Sequence, residues 1–223
     1  MIKIVTALFA LACLIVFASA QTQHCFDKSF QTRVRVFEPK RDFFDTQTMY
    51  VDADAGLTRI DMLVREPVSR NVSVYLNYNT MKSYTYDIVT GTCNVIVLSQ
   101  PQQPFCISSN ATYARSDVLG GTLKVDVYEE KVFGFQAKIS YAPNTNIPVS
   151  VITKAAGVGS GYVIEEFFNW IHQKPASAVF TLPAACQRLS GPSMRMANSD
   201  SAIIGRVQSL LFRNAIKKAS AKL

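Results

Sequence analysis

The sequence has only two histidines and no Cys-x-x-Cys pair, and these shortages exclude several kinds of chemistry. His24 and His172 stand alone, so the ligand spacing of a zinc site is absent. A Ser-His-Asp hydrolase would need one of the same two residues as its base. The glycine-rich stretch 157–161 has neither the serine position of a nucleophile elbow nor the lysine of a phosphate-binding loop. The sequence therefore predicts a protein that is not an enzyme and has no cofactor.

After residue 20 the sequence also lacks any internal repeat, low-complexity tract or apolar run long enough to span a bilayer. Residues 1–20 have a positive charge at Lys3, an apolar centre and Ala-Ser-Ala at their end. This pattern predicts a cleaved signal peptide over residues 1–20, with the mature chain starting near Gln21, and favours it over a membrane anchor. We therefore expect a secreted, extracellular protein.

Five cysteines are present, and Cys13 lies inside the predicted signal peptide. The four that remain are Cys25, Cys93, Cys106 and Cys186. An even number of cysteines in a secreted chain predicts two disulfides, and the residues alone leave all three connectivities open. Two N-glycosylation sequons begin at Asn71 and Asn110, which predicts surface positions for both asparagines.

The net charge of +7 is unevenly distributed along the chain. Residues 21–187 contain 15 basic and 15 acidic residues, whereas residues 188–223 contain seven basic residues and one acid. A neutral body gives no indication of nucleic-acid binding. The sequence of the tail predicts a linker followed by an amphipathic helix over 199–223. Three interpretations of it stay open: a helix docked on the body, peripheral membrane contact with anionic lipid, and a free or processed end.

The body alternates apolar and polar residues and is rich in β-branched and aromatic side chains, which is typical of half-buried strands. We expect about nine or ten strands in meander order, forming a large antiparallel sheet that is strongly curved or closed. Residues 52–56 and 129–131 are predicted hairpin turns. Residues 100–109, with two prolines, are predicted to form an irregular crossing loop.

Several segments, in order, resemble the ependymin family of secreted glycoproteins, whose fold is similar to that of bacterial lipoprotein carriers. The strand Arg33-Val-Arg-Val follows an N-terminal cysteine, and the most specific block runs from Phe167-Phe168 to Cys186. The other similar segments are residues 50–59, 86–93, 104–113 and 147–149. Asn146 stands where the family often has a cysteine. The resemblance covers residues 25–187 and predicts one domain over 21–187.

The resemblance implies a mainly β fold of curved antiparallel sheets, a half-barrel that encloses an apolar pocket, followed by the C-terminal helical tail. It implies binding of lipid or another hydrophobic ligand, association with calcium, homodimers, and a place at the cell surface, in the matrix or in the lysosomal lumen. It also implies that Cys93 pairs with Cys186, which leaves Cys25 for Cys106. The rival pairing joins Cys25 to Cys186 and Cys93 to Cys106.

Apolar side chains on the inner face of such a sheet would line the pocket, and ordinary core packing is the alternative for each of them. The candidates are Phe135, Ile139, Tyr141, Ile164, Phe168 and Trp170. Two functions stay open. The first is a secreted lipid-binding glycoprotein, and the second is a cell-matrix adhesion glycoprotein with a filled core and no ligand.

Overall fold

The computed structural model describes residues 24–41, 43–64, 69–132, 135–154 and 161–189. The predicted signal peptide over 1–20 and nearly all of the predicted tail over 188–223 lie outside the described residues. The strands are β1 (Ser29–Glu38), β2 (Phe43–Asp52), β3 (Leu57–Val64), β4 (Arg70–Asn77), β5 (Lys82–Asp87), β6 (Cys93–Val97), β7 (Thr112–Leu119), β8 (Leu123–Val132), β9 (Phe135–Ala142), β10 (Ile147–Lys154) and β11 (Tyr162–Ile171).

Short helices complete the described chain. Two 3-10 helices span Pro39–Arg41 and Ser177–Phe180, and one α-helix, α1, spans Ala184–Gln187. None of the helices in the described ranges has the length and apolar character needed to cross a membrane.

The eleven strands form one open antiparallel sheet in the order β6-β5-β4-β3-β2-β1-β11-β10-β9-β8-β7. Strands β1 to β6 make one meander and β7 to β11 make a second, and the two meanders join where β1 pairs with β11. Strands β6 and β7 are the two edges of the sheet. The predicted mainly β, antiparallel fold class is confirmed, with a single sheet of eleven strands.

Strand β1 shows how alternation in the sequence gives the sheet two different faces. Phe30, Val34 and Val36 are buried on one side, which we call the inner face, while Arg33 and Arg35 are exposed on the other, the outer face. Residues directly opposite each other in neighbouring antiparallel strands point to the same face. The strand register therefore assigns every paired residue to one face or the other.

A disulfide-linked ribbon crosses the inner face. The backbone N–H of Phe26 donates to the carbonyl of Phe105 at 2.7 Å, and the N–H of Ile107 donates to the carbonyl of His24 at 2.7 Å. Cys25 and Cys106 form an antiparallel β-bridge between the two segments, and their side chains form a disulfide. We call residues 24–27 and 105–107 the cover ribbon. The predicted crossing loop therefore exists, and it is tied to the N-terminal segment.

The inner face of β1 to β4 holds the largest described core cluster, and Phe105 of the cover ribbon packs against it. The ring of Phe105 meets that of Phe30 edge-on, with centroids 5.4 Å apart. We call this group the first core; its buried members are Phe30, Val34, Val36, Met49, Val51, Ile60, Met62, Val64, Val72, Val74, Leu76, Tyr78 and Leu98.

The outer face of the first meander is covered by the C-terminal segment. Cys186 of α1 is buried against Tyr75, Tyr84 and Val95, and its disulfide to Cys93 links the segment to β6. Arg59 of β3 reaches this segment with a hydrogen bond of 2.9 Å to the carbonyl of Val179.

The Arg59 guanidinium is held from several sides. It lies 5.1 Å from the ring centroid of Tyr75 and 5.8 Å from that of Tyr50, within the range of cation–π attraction. Its Nε donates to Asp61 at 2.9 Å, and the same carboxylate oxygen accepts from Ser73 at 2.6 Å. This arrangement stabilises the C-terminal segment against the sheet.

Two details of the predicted strand pattern are wrong. Residues 129–131 were expected to turn, but β8 continues to Val132, because Glu129 forms an ion pair with Lys138 of β9 at 2.8 Å and Glu130 is buried on the inner face. Strand β7 was not expected at all. Its residues are exposed on both faces, so they show no alternation that a sequence pattern could detect.

Candidate functional site

The structure divides the six predicted pocket residues between the two faces. Ile139 and Tyr141 lie on the inner face, and Trp170 joins them there against the first core. Ile164 pairs with Phe37, and Phe168 pairs with the exposed Arg33, so both lie on the outer face. The expectation that Ile164 and Phe168 line an inner pocket is therefore wrong. Phe135 begins β9, and its side chain lies outside the described part of the structure.

A bulge at Asn169 explains this division. The register between β1 and β11 shifts between the pairs Arg33–Phe168 and Gln31–Ile171, and Asn169 has a φ of 54°. Asparagine adopts this left-handed conformation more readily than most residues. The extra residue turns Trp170 to the face opposite Phe168, although both have even numbers.

Trp170 is fixed in place by a stacked ring and a hydrogen bond. Its indole stacks on Phe30 with centroids 4.2 Å apart and an interplanar angle of 18°. Its Nε1 donates to a carboxylate oxygen of Asp27 at 3.1 Å, and His172 Nδ1 contacts the same oxygen. The bond ties the strand that carries Trp170 to the cover ribbon, of which Asp27 is the last residue of the N-terminal segment.

Half-buried apolar side chains occupy the inner face between the first core and a second group of buried residues. Ile139, Val151, Val163 and Phe167 are all partly exposed. Val151 is paired with Ile139 on one side and with Glu165 on the other, so these residues form one row across β9, β10 and β11. We call Ile139, Val151, Val163 and Phe167 the inner cleft. Three of its four residues were not among the predicted candidates.

Polar groups are placed beside the inner cleft. Glu165 is buried on the inner face, in the same row as Val151 and Val36. The Thr153 hydroxyl is buried without a hydrogen-bond partner within the described residues. Thr153 pairs with Val163, so its hydroxyl adjoins the cleft. A buried polar group without a partner costs free energy, and a ligand or water that accepts its hydrogen bond would remove this cost.

A cluster of tyrosines and one histidine lies at the other side of the cleft. Tyr128 and Tyr141 are buried together with Ile107 and Ala111, and Ile139 packs against them. We call this group the tyrosine cluster. It marks the side of the inner cleft opposite the first core.

Hydrogen bonds join the tyrosine cluster to the cover ribbon. The hydroxyl of Tyr141 lies 3.2 Å from His24 Nδ1, and that of Tyr128 lies 3.4 Å from His24 Nε2. Burial, together with Tyr128, raises the pKa of Tyr141, so its phenol stays protonated and can donate. The sequence interpretation gave His24 no role, and its place here is structural.

The described residues contain no group of three or more metal-ligating side chains. Asp52 and Asp54 resemble the start of a calcium loop, but Asp52 is bonded to Lys174 at 2.9 Å and accepts from Ser29 at 3.3 Å. Burial alone would raise the pKa of Asp52, but the hydrogen bond and charge of Lys174 lower it below its ordinary value. The segment is therefore a hairpin turn, with Gly56 at a φ of 64°.

Both sequon asparagines are exposed. Asn71 lies on β4, and Asn110 lies in the turn before β7. Either side chain is accessible for a glycan.

The fold and the site together define a class of protein. It has a single open antiparallel sheet whose inner face is crossed by a disulfide-linked ribbon, with half-buried apolar residues beside the ribbon. The family model described as Ependymin matches residues 66–186. This chain belongs to the ependymin family.

Two solved structures are similar to this chain, and the first of them supports the fold. The chain is similar to an uncharacterized conserved protein from Thermus thermophilus, with a TM-score of 0.53 and 11% identity over 71% of this chain and 87% of that chain. It is also similar to a LolA superfamily protein from Nitrosomonas europaea, with a TM-score of 0.35 and 9% identity over 71% of this chain and 93% of that chain. At 11% identity the first match supports the fold alone. No curated protein matches the chain.

Proposed function

We propose that this chain is a secreted, non-enzymatic glycoprotein that binds lipid or another hydrophobic ligand in the inner cleft. The observation that carries the proposal is the partial exposure of Ile139, Val151, Val163 and Phe167 between two groups of fully buried residues. These side chains expose apolar surface to water on the face that the cover ribbon crosses. An apolar ligand that bound there would bury this surface, which is favourable.

The rest of the site fits an amphiphilic ligand. The cleft side chains would contact an acyl chain, while the Thr153 hydroxyl could bond a polar group. The two disulfides fit an oxidising, extracellular compartment. Calcium association, homodimers, a lysosomal location and membrane contact through the basic tail remain predictions of the family resemblance and of the sequence.

The second candidate is a cell-matrix adhesion glycoprotein. The filled first core and the exposure of Asn71 and Asn110 favour it, because function could then be carried by the surface and its glycans. It predicts that the cleft side chains contact only one another and no bound lipid.

A matched pair of variants on β10 tests the proposal. Val151→Trp fills the inner cleft, whereas Ile152→Trp places the same side chain on the outer face, where Ile152 is 36% exposed. We expect Val151→Trp to weaken uptake of a fluorescent fatty acid by about tenfold or more, since the added ring would occupy the acyl-chain site. Ile152→Trp should bind as the unchanged protein does.

Lipid extraction from the natively purified protein, followed by mass spectrometry, gives an independent measurement. Co-purified lipid that is lost in Val151→Trp supports the carrier. Absence of both co-purified lipid and probe uptake would leave the adhesion glycoprotein as the better function.

A further inference from the structure

The hairpin formed by β7 and β8 ends in an apolar tip. Val118, Leu119 and Leu123 are 55%, 43% and 44% exposed, and residues 118–123 contain no charged residue. Gly120, Gly121 and Thr122 connect the two strands, and both glycines have positive φ values, 58° and 79°, which glycine adopts without steric cost. We call residues 118–123 the hairpin tip.

The tip stands clear of the rest of the described sheet. A Cβ atom placed on either Gly120 or Gly121 would meet nothing within 4 Å. The described pairing of β8 with β9 begins at Asp126, so Leu123 is held in the sheet by its pairing with Leu119 of β7. Three aliphatic side chains are thus presented to solvent at the end of a two-stranded ribbon.

The apolar side chains occupy both faces of this ribbon. Leu119 and Leu123 are paired and share one face, while Val118 pairs with Lys124 on the other. A groove on a protein would cover one face of a ribbon, whereas a fluid apolar phase surrounds the whole of it.

The edge strand β7 has features that disfavour pairing with a second copy of the chain. The register shifts between Tyr113 and Arg115, which places a bulge in the edge, and Arg115 and Asp117 form an ion pair at 2.8 Å beside it. Bulges and charged side chains are the devices that keep edge strands from pairing with other chains. The edge is therefore protected while the tip is left apolar.

We propose that the hairpin tip inserts into the surface of a lipid bilayer and so holds the protein at a membrane. This surface is distinct from the basic tail, which would act through charge. The inference goes beyond the proposed function and does not require that the inner cleft holds a ligand, because vesicle binding and fatty-acid uptake are separate measurements.

Zwitterionic phosphatidylcholine vesicles at about 1 M salt test the insertion, because the Debye length there is about 3 Å and attraction through the basic tail is screened. The mature full-length protein should co-sediment with these vesicles. The double variant Leu119→Ser with Leu123→Ser should have a vesicle partition coefficient at least about tenfold lower, since two of the three aliphatic side chains of the hairpin tip are lost. The matched control is Val89→Ser with Val97→Ser. It removes two valine side chains outside the hairpin tip, which are 72% and 59% exposed.

A tryptophan placed at the hairpin tip reports by its fluorescence whether the tip enters the apolar part of the bilayer. Leu119→Trp should show a blue-shifted emission with vesicles, relative to the unchanged protein, whose only tryptophan is Trp170. The proposal is overturned if the unchanged protein does not bind these vesicles, or if the tip and control variants lose binding equally. Unimpaired fatty-acid uptake by a tip variant that no longer binds vesicles would support it and leave the proposed function intact.

Discussion

Removal of the Cys25–Cys106 disulfide should release the cover ribbon from the inner face. The perturbation is the double variant Cys25→Ser with Cys106→Ser. Without the disulfide, the ribbon keeps its two backbone hydrogen bonds and the side-chain hydrogen bonds of His24 and Asp27. It also keeps the apolar contacts of Phe26, Phe105 and Ile107. We expect local opening of the ribbon, faster dissociation of any ligand in the inner cleft, and a lower free energy of unfolding.

The size of the stability loss follows from the loop that the disulfide closes. Cys25 and Cys106 are separated by 81 positions, and the chain-entropy relation then gives about 4.5 kcal/mol. Cys93 and Cys186 are separated by 93 positions, and the same relation gives about 4.7 kcal/mol. The double variant Cys93→Ser with Cys186→Ser is therefore a control with a nearly equal loss of unfolding free energy. It releases the C-terminal segment from the outer face and leaves the cover ribbon linked.

Urea denaturation, fatty-acid release and amide hydrogen exchange measure the three effects. Both double variants should lose similar unfolding free energy, but only the Cys25/Cys106 variant should release the ligand faster. That variant should also lose protection at the amides of Phe26 and Ile107, which donate within the ribbon. Equal acceleration of ligand release in both variants would refute the reasoning, because the effect would then be global. Non-reducing peptide mapping checks the connectivity first, and a Cys93–Cys106 peptide would contradict it.

Two further predictions concern charges on the sheet. Arg59→Met should lower the free energy of unfolding, measured by urea denaturation, by about 2–4 kcal/mol. The reason is that charge-assisted hydrogen bonds and two cation–π contacts are lost together. A loss below about 0.5 kcal/mol would contradict the role given to Arg59. The lowered pKa of Asp52 means that its bond to Lys174 contributes stability above the ordinary carboxyl value of about 3.9, and that this contribution is lost as pH falls through the folded pKa. Lys174→Ala should therefore make stability less sensitive to acid below about pH 4, and an unchanged acid profile would show that Lys174 is not the cause.

Alternation in the sequence was sufficient to predict the antiparallel fold, because β1 and β4 each bury one regular face against the first core. The same rule failed at one residue. Asn169 adds a position to β11, and every side chain after it changes face relative to those before it. Asparagine is the one local hint of the bulge, and many asparagines in strands and turns have ordinary conformations.

The inner cleft could be predicted only in part, for a different reason. The expected strand over 148–153 already placed Val151 and Thr153 on one face, but nothing in the sequence indicates which apolar residues a distant segment covers. That depends on where the cover ribbon lies, and its position is set by contacts between residues about 80 positions apart. Strand β7 escaped prediction because an exposed edge strand needs no alternation.

The two disulfides divide the sheet into regions of different character. Cys25–Cys106 fixes a cover on the inner face, and Cys93–Cys186 fixes the C-terminal segment on the outer face of the first meander. The first meander is thus packed on both sides and supplies most of the buried core. The second meander carries the half-buried inner cleft and the exposed hairpin tip. Regions with fewer buried contacts open at lower free energy than a packed core. The proposed ligand site and the proposed membrane-inserting tip therefore both lie on the second meander, beside the more densely packed first meander.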